Sequence, residues 1–268
     1  MTTKTDNPSN HVKGQGPQPA QKLFAVASGK GGVGKTWFSI TLSHALALQG
    51  KKVLLFDGDL GLANVDVQLG LMAKRDLNDV IEGNISMEHV IEHYEAGGFD
   101  VVAGRSGAGS LAALPAPRLT EIIEQIRGQL GKYDAVIIDL GAGIDRTVRF
   151  MAASADTTFV VTTDEPTALT DAYAFIKLSH AAGHSDNLQV VVNMTGSTKE
   201  GEGTYATLLK ACKNFLKISP PLMGTIRADK RVRDAIRAQG PFLTRFPNTD
   251  TAADIEKIAA RVTADILK

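Results

Sequence analysis

The chain has 268 residues, of which 43% are hydrophobic and 22% are charged, and its 29 basic and 29 acidic residues cancel at pH 7. This composition is that of an ordinary globular protein, and the length suits one large α/β domain. Because the net charge is zero, no global positive field draws the protein to nucleic acid or to an anionic membrane. Any contact with nucleic acid or a membrane therefore needs a local patch of positive charge.

The cysteine content and the amino-terminal segment bear on compartment and domain limits. The single cysteine, Cys212, excludes a disulfide framework and any cysteine-built iron–sulfur or zinc site within one chain. Residues 1–21 hold almost no aliphatic side chains, so they cannot bury enough surface to fold, and we predict a disordered tail. They lack the apolar core of a signal peptide, and no run of about 18 apolar residues exists for a membrane span. We expect a cytoplasmic protein with one folded domain over residues 22–268.

Short apolar runs alternate with segments of helical periodicity along the chain. The runs predict strands that are buried on both faces. They cover residues 23–27, 53–57, 100–104, 135–140, 157–163, 188–193 and 221–226. Helical spacing occurs over residues 36–49, 118–130, 168–182, 203–216 and 229–239. This alternation predicts an α/β fold, a mainly parallel twisted sheet with helices on both faces, and places ligands at the carboxyl ends of the strands.

The segment "SGKGGVGKTW", residues 28–37, joins the first predicted strand to the first predicted helix. It matches the pattern G-x-x-x-x-G-K-S/T of a phosphate-binding loop, in the context that this loop requires. Glycines let backbone N–H groups approach phosphate oxygens, and the helix N-terminus adds positive potential. Lys35 supplies charge, and the Thr36 hydroxyl binds magnesium. The predicted nucleotide-binding residues here are Gly29, Gly31, Gly32, Val33, Gly34, Lys35, Thr36 and Trp37.

Acidic residues end two of the other predicted strands. The run "AVIIDLGAG", residues 135–143, ends its apolar part in Asp139, which is typical of a Walker B strand. A carboxylate there accepts hydrogen bonds from magnesium-bound water, and Gly141 offers its N–H to the γ-phosphate. The second predicted strand ends in Asp57, and Asp59 follows two residues later. Carboxylates at these places can hold a metal-bound water and orient the attacking water. The alternative is that the two aspartates only cap turns. The predicted magnesium ligands are Thr36, Asp57 and Asp139.

Lys30 distinguishes this loop, because an ordinary phosphate loop needs no second lysine one residue after its first glycine. The sequence K-G-G-V-G-K-T, residues 30–36, resembles the deviant Walker A motif of the MinD/ParA class of ATPases. The resemblance implies that Lys30 reaches across an ATP-dependent, nucleotide-sandwich homodimer to the partner's phosphates. It also implies that the catalytic residues are Lys30, Lys35 and Asp59.

The same resemblance assigns further roles and cofactors. Asp57 holds a metal-bound water, and Asp59 orients the water that attacks the γ-phosphate. Asn193, at the end of the strand "LQVVVN", resembles the family's adenine-contacting asparagine, since its amide offers a donor and an acceptor to a base edge. As a lone asparagine it is also a common turn former. The implied cofactors are ATP or ADP and Mg²⁺.

Stretches outside the phosphate site look like the FlhG family, also called FleN, of MinD-like regulators of flagellar number and placement. They are "DGDLGLANVDVQLGL" (57–71), "LNDVIEGNIS" (77–86), "GRSGAGSLAAL" (104–114), "IIDLGAGI" (137–144), "EPTALTDAYAFIK" (165–177) and "ADKRVRDAIRAQGPFLTRFPNT" (228–249). The resemblance implies that ATP drives dimerisation and that slow or stimulated hydrolysis resets the dimer. The implied partners are an FlhF-type GTPase, C-ring switch components or a flagellar transcription activator.

Both ends of the chain depart from the family pattern. Many FlhG proteins begin with a D-Q-A-x-x-L-R element that stimulates the GTPase, but this tail shows only "PAQKL" at residues 19–23. The final segment places Ile255, Ile258, Val262 and Ile266 on one helical face. Acidic residues outnumber basic ones there and no aromatic anchor is present, so we predict a helix packed on the sheet rather than a membrane anchor. Peripheral contact with the membrane or the cell pole stays open.

One local cluster of positive charge stands out near the carboxyl end. Its members are Arg227, Lys230, Arg231, Arg233, Arg237 and Arg245, against only Asp229 and Asp234. It is a partner-binding surface, a surface beside the nucleotide, a site of nonspecific DNA binding of the ParA kind or a solvated helix face. No specific nucleic-acid partner is predicted.

Two other functions stay open beside the flagellar switch. One is a nucleotide-gated scaffold whose hydrolysis is too slow to matter, which an intact Asp59 disfavours. The other is a positioning protein for a cargo other than the flagellum. Nitrogenase-reductase-like and cluster-carrying ATPases share the loop, but their paired cysteines are missing here, and that class is excluded.

Overall fold

The computed structural model of the protein describes residues 21–59, 63–72, 75–83, 85–104 and 114–267. Nearly all of the predicted tail, most of the stretch at 104–114 and residues 60–62 of the stretch at 57–71 lie outside these ranges.

A single sheet of eight strands forms the centre of the fold. The strands are β1 (Lys22–Ser28), β2 (Val53–Gly58), β3 (Ile91–Tyr94), β4 (Phe99–Val102), β5 (Ala135–Ala142), β6 (Thr157–Thr162), β7 (Leu188–Thr195) and β8 (Leu222–Arg227). Their order across the sheet is β3-β4-β2-β5-β1-β6-β7-β8. All neighbours are parallel except β3 and β4, which form an antiparallel pair at one edge. The mainly parallel sheet predicted from the sequence is confirmed.

Helices cover both faces of the sheet. They are α1 (Lys35–Leu48), α2 (Val65–Leu69), α3 (Leu77–Ile81), α4 (Ala116–Gly128), α5 (Arg146–Ala153), α6 (Pro166–Ala181), α7 (Thr198–Ala211), α8 (Arg231–Arg237), α9 (Phe242–Arg245) and α10 (Asp250–Arg261). Helices α1, α2, α8, α9 and α10 contribute to one apolar core, and α3 to α7 contribute to the other. Along β1, Phe24 and Val26 enter the first core, whereas Leu23, Ala25 and Ala27 enter the second. This alternation is the period of two that a strand imposes, so one strand feeds both cores.

The carboxyl-terminal helix packs on the sheet, as predicted. Ile255, Ile258 and Val262 are at most 1% exposed, and α10 contacts β8 and α1. Ile266 is partly buried against the same core. No helix within the described ranges combines the length and the apolar composition that crossing a membrane requires.

Three members of the basic cluster contact other side chains of the chain, and one of them, Arg245, lies over the ring of Phe246 at 6.0 Å from its centroid. The Arg227 guanidinium, at the end of β8, binds both carboxylate oxygens of Asp254 on α10, at 2.8 and 2.9 Å. Arg231 binds the neighbouring Asp229 at 2.9 Å. Asp254 is 4% exposed, so its pairing with Arg227 joins α10 to the carboxyl end of β8. The side chains of Lys230, Arg233, Arg237 and Arg245 are exposed.

Two glycines in α7 test how tightly this helix packs. A Cβ atom on Gly201 would lie 2.7 Å from Thr225 Cγ2 and 2.9 Å from Thr195 Cγ2, whereas one on Gly203 meets no described atom within 4 Å. We expect Gly201→Ala to lower the free energy of unfolding by about 1–3 kcal/mol through overpacking. Gly203→Ala should raise it by about 0.5–1 kcal/mol, because alanine favours the helix. Urea unfolding of both variants checks this; equal effects of the same sign would contradict the packing.

Candidate active site

The phosphate loop occupies residues 29–34, between β1 and α1 at the carboxyl edge of the sheet. Gly32 and Gly34 have φ angles of 80° and 88°, in the left-handed region that favours glycine. A Cβ atom on Gly34 would lie 2.4 Å from Asn193 Nδ2, and one on Gly29 would lie 2.2 Å from the backbone oxygen of Asp171. The loop therefore packs closely against β7 and α6, and Gly29 and Gly34 have no room for a side chain.

Backbone N–H groups at the start of α1 are available for an anion. Gly34 is the N-cap residue, and the first helical bond runs from Phe38 N to Gly34 O at 2.9 Å. The N–H groups of Lys35, Thr36 and Trp37 precede that bond, so the helix itself provides no acceptor for them. Gly31 and Gly32 are exposed beside them. Helix ends of this kind commonly bind anions, and binding of a phosphate here stays a prediction.

The side chain of Trp37 points away from this loop. It is 7% exposed, and its ring packs edge-on against Phe242 of α9 with 5.5 Å between centroids. The predicted contact of Trp37 with a nucleotide therefore depends on its backbone N–H.

The carboxylate of Asp139 lies directly beneath the start of α1. Thr36 Oγ1 donates to Asp139 Oδ2 at 2.6 Å, and Ser39 Oγ lies 2.9 Å from Asp139 Oδ1. Asp139 is 1% exposed, and Lys35 is also buried. Burial raises the pKa of Asp139, although the charge of Lys35 and the hydroxyls of Thr36 and Ser39 act in the opposite direction. Ser39 was not predicted; its position one helical turn after Lys35 was the available signal.

Asp57 lies beside Asp139 on the neighbouring strand, in direct register. One of its oxygens accepts from the Asp59 N–H, and the other accepts from the N–H groups of Asn64 and Val65, all at 3.1 Å. Burial raises the pKa of Asp57 to about 7, and the nearby Asp139 charge adds to the shift. Asp57 thus holds the start of α2, in line with the capping alternative, while its role toward a metal stays a prediction.

The donor set between these residues suits magnesium. The Thr36 hydroxyl and two adjacent buried carboxylates, Asp57 and Asp139, supply the hard oxygen atoms that Mg²⁺ prefers. A divalent cation would also relieve the repulsion between the two carboxylates. No group of three or more His, Cys, Asp and Glu in the described part of the chain could hold a metal ion by itself. Mg²⁺ is commonly bound by one or two carboxylates together with phosphate oxygens of a nucleotide. Asp57 and Asp139 are the carboxylates available for this arrangement.

Asp59 and Gly141 lie together at the mouth of the site. A Cβ atom on Gly141 would be 3.4 Å from the Asp59 carboxylate. The structure thus brings the predicted water-orienting carboxylate next to the predicted γ-phosphate donor.

Lys30 is directed to the start of α6. Its ammonium group binds Glu165 Oε2 at 2.6 Å and Thr167 Oγ1 at 2.8 Å. The side chain of Lys30 is 36% exposed. These two partners are not evident from the sequence, since 135 residues separate Lys30 from Glu165.

Asn193 connects the phosphate loop to β7. Its Nδ2 donates to the Val33 carbonyl at 2.9 Å, and its Oδ1 accepts from the Met194 N–H at 2.9 Å. The residue is 2% exposed. The bond to Val33 ties the loop to β7, and the adenine contact of Asn193 stays a prediction.

Comparisons with known proteins agree with this geometry. The ParA family model, described as NUBPL iron-transfer P-loop NTPase, matches residues 20–263. The antiactivator FleN of Pseudomonas aeruginosa is 37% identical over 251 residues, 94% of this chain and 89% of FleN. The flagellum site-determining protein YlxH of Helicobacter pylori is 32% identical over 239 residues, 89% of this chain and 80% of YlxH.

Solved structures extend the likeness to the fold. The septum site-determining protein MinD of Pyrococcus horikoshii, complexed with Mg-ADP, has a TM-score of 0.76 and 26% identity, and the match covers 92% of this chain and 99% of that one. Despite the iron-transfer description of the family model, this chain has one cysteine, which is buried, and so no cysteine pair for a cluster. With a second lysine in its phosphate loop and relatives that match almost its whole length, the chain belongs to the MinD/ParA family of P-loop ATPases, in the group that contains FleN and YlxH.

Proposed function

We propose that this chain is an ATP-driven dimerising switch that controls the number or placement of flagella. The observation that carries the proposal is the contrast between the two lysines of the phosphate loop. Lys35 is 8% exposed and lies beside Asp139, where it serves the phosphates of its own site. The Lys30 side chain is 36% exposed at the rim, where a second protomer can be reached.

Hydrolysis uses the groups already assembled at the carboxyl edge of the sheet. The N–H groups from Gly31 to Trp37 and the Lys35 ammonium bind the phosphates. Thr36, Asp57 and Asp139 would hold Mg²⁺, which would supply positive charge to the phosphate oxygens. Asp59 orients the attacking water next to Gly141. Hydrolysis is slow without a partner or a lipid surface, as the family resemblance implies.

Dimerisation requires that Lys30 exchange one set of partners for another. In a single chain its ammonium group binds Glu165 and Thr167. Both acceptors are side chains at the surface, where an ion pair contributes about 0.2–1 kcal/mol. The phosphates of a nucleotide bound in a second chain carry more negative charge than one carboxylate, so they compete well for Lys30. Loss of the γ-phosphate weakens that attraction and releases the dimer.

The flagellar assignment is supported by the relatives. FleN is described as an antiactivator and YlxH as a flagellum site-determining protein. A flagellar transcription activator, C-ring switch components and an FlhF-type GTPase are the partners we propose. The proposed site of action is the cytoplasm, with peripheral contact at the membrane or pole. Positioning of another cargo is the alternative, since the septum site-determining protein MinD of Bacillus subtilis is also 36% identical over 90% of this chain.

The oligomeric state tests the switch directly. We expect the light-scattering mass of the wild type to double with ATP and Mg²⁺ but not with ADP, because only ATP offers the γ-phosphate to Lys30. Asp59→Ala should hold the dimer, since the attacking water is no longer oriented, whereas the wild type returns to monomer as ATP is consumed. An unchanged mass, with nucleotide binding confirmed by calorimetry, would contradict the dimer model.

The contact between Lys30 and Glu165 gives a second prediction. Glu165→Gln removes the charge that competes for Lys30, so half-maximal dimerisation should need about two- to fivefold less ATP. Lys30→Ala should abolish dimerisation without abolishing nucleotide binding. Glu256→Gln, the same change at an exposed position of α10, is the control. Weaker dimerisation of Glu165→Gln would mean that Glu165 supports the interface instead.

The cellular role is tested by replacing the gene with its Asp59→Ala variant and counting flagella per cell by electron microscopy. A chain locked in the ATP-bound dimer should change flagellar number, in the direction opposite to that of a gene deletion. Normal flagella in both strains, with altered placement of another structure, would favour the alternative cargo.

A further inference from the structure

Ser39 of α1 is a fully buried serine with two possible acceptors. Its Oγ lies 2.9 Å from Asp139 Oδ1 and 3.1 Å from the Lys35 carbonyl. A hydroxyl has one proton to donate. The carboxylate is the nearer acceptor and the more highly charged one, and charge-assisted hydrogen bonds are about twice as strong as neutral ones. The proton of Ser39 therefore goes to Asp139.

Neighbouring hydroxyls in α1 show what an ordinary buried hydroxyl does here. Ser43 Oγ donates to the Ser39 carbonyl at 2.8 Å, and Thr41 Oγ1 donates to the Trp37 carbonyl at 2.7 Å. Both bond the carbonyl four residues earlier, which is the usual way to satisfy a hydroxyl inside a helix. Ser43 is fully buried, as Ser39 is. Ser39 differs from them in having a carboxylate within reach.

Two of the hydroxyls of α1, those of Thr36 and Ser39, bind the two oxygens of one carboxylate. Thr36 donates to Oδ2 at 2.6 Å, and Ser39 donates to Oδ1. The terminal torsion of an aspartate is broad and does not fix the carboxylate plane. A single bond from Thr36 leaves that plane able to rotate about the bonded oxygen, whereas two bonds fix it. With Asp139 1% exposed, bulk water does not replace a lost donor.

We propose that Ser39 is a positioning residue, which fixes the carboxylate of Asp139 so that Asp139 and the Thr36 hydroxyl face the magnesium of a bound nucleotide. The inference rests on the nucleotide and Mg²⁺ binding of the proposed function, but not on its flagellar role. Ser39 does not contact the nucleotide itself, because it is one turn into the helix and fully buried. It therefore acts on metal affinity through Asp139.

The experiment is a Mg²⁺ titration of the binding of a fluorescent ADP analogue to the full chain. We expect Ser39→Ala to raise the Mg²⁺ concentration for half-maximal binding about tenfold, the effect of removing one hydrogen bond to a charged group. Binding in EDTA should stay within about twofold of wild type, because the phosphate loop is intact. Ser43→Ala, a matched change one turn further along α1, should leave both values unchanged. Ser39→Thr, which keeps a hydroxyl at this position, should show the Mg²⁺ dependence of the wild type.

Other outcomes overturn the proposal. Equal Mg²⁺ curves for Ser39→Ala and Ser43→Ala would show that Ser39 is only a satisfied helix hydroxyl. An equal loss of binding with and without Mg²⁺ would show that it supports the loop and not the metal. A wild type that binds nucleotide without any Mg²⁺ dependence would also refute the proposed magnesium site. If Ser39→Ala does not fold, Ser39→Cys, which is close in size but a weak donor, is used in its place.

Discussion

The buried carboxylate of Asp139 is the constraint around which the rest of the site is arranged. A charge that is 1% exposed must find donors within the protein, because desolvation otherwise favours the neutral acid. Helix α1 provides them from the Thr36 and Ser39 hydroxyls, with the Lys35 charge nearby. The inward face of α1 therefore carries polar side chains in the middle of an apolar core.

Asp57 extends the same network to the neighbouring helix. Its carboxylate lies beside Asp139 and accepts N–H groups from the start of α2. A metal ion bound beside Asp139 would therefore compete with the N-terminus of α2 for the carboxylate of Asp57. In the middle of α2, Gln239 donates to the Val67 carbonyl at 3.0 Å and so ties this helix to the segment after α8. The predicted magnesium site and the α8 region are connected through a helix of only five residues.

Much of this molecule could be predicted from local sequence patterns. The features that could not be predicted are short elements and contacts between residues that are distant in sequence. The apolar runs located seven of the eight strands, because strands buried on both faces are continuously hydrophobic. The other strand, β3, was missed because it is a short edge strand, in which only Tyr94 of the four residues is buried, so it has no continuous apolar run. Helices α2, α3, α5 and α9 were not predicted, because their four to eight residues are too few to show a clear helical period of apolar side chains. Lys30 and Glu165 are 135 residues apart in the sequence, and Asn193 and Val33 are 160 apart.

The position of Trp37 has an optical consequence. It is the single tryptophan of the chain, it follows Thr36 directly, and its buried indole packs against Phe242. Its emission therefore arises from one environment, the joint between α1 and α9, one residue from a predicted ligand of magnesium. The protein thus contains an intrinsic fluorophore, whose spectrum and lifetime follow rearrangement at the start of α1 without any attached dye.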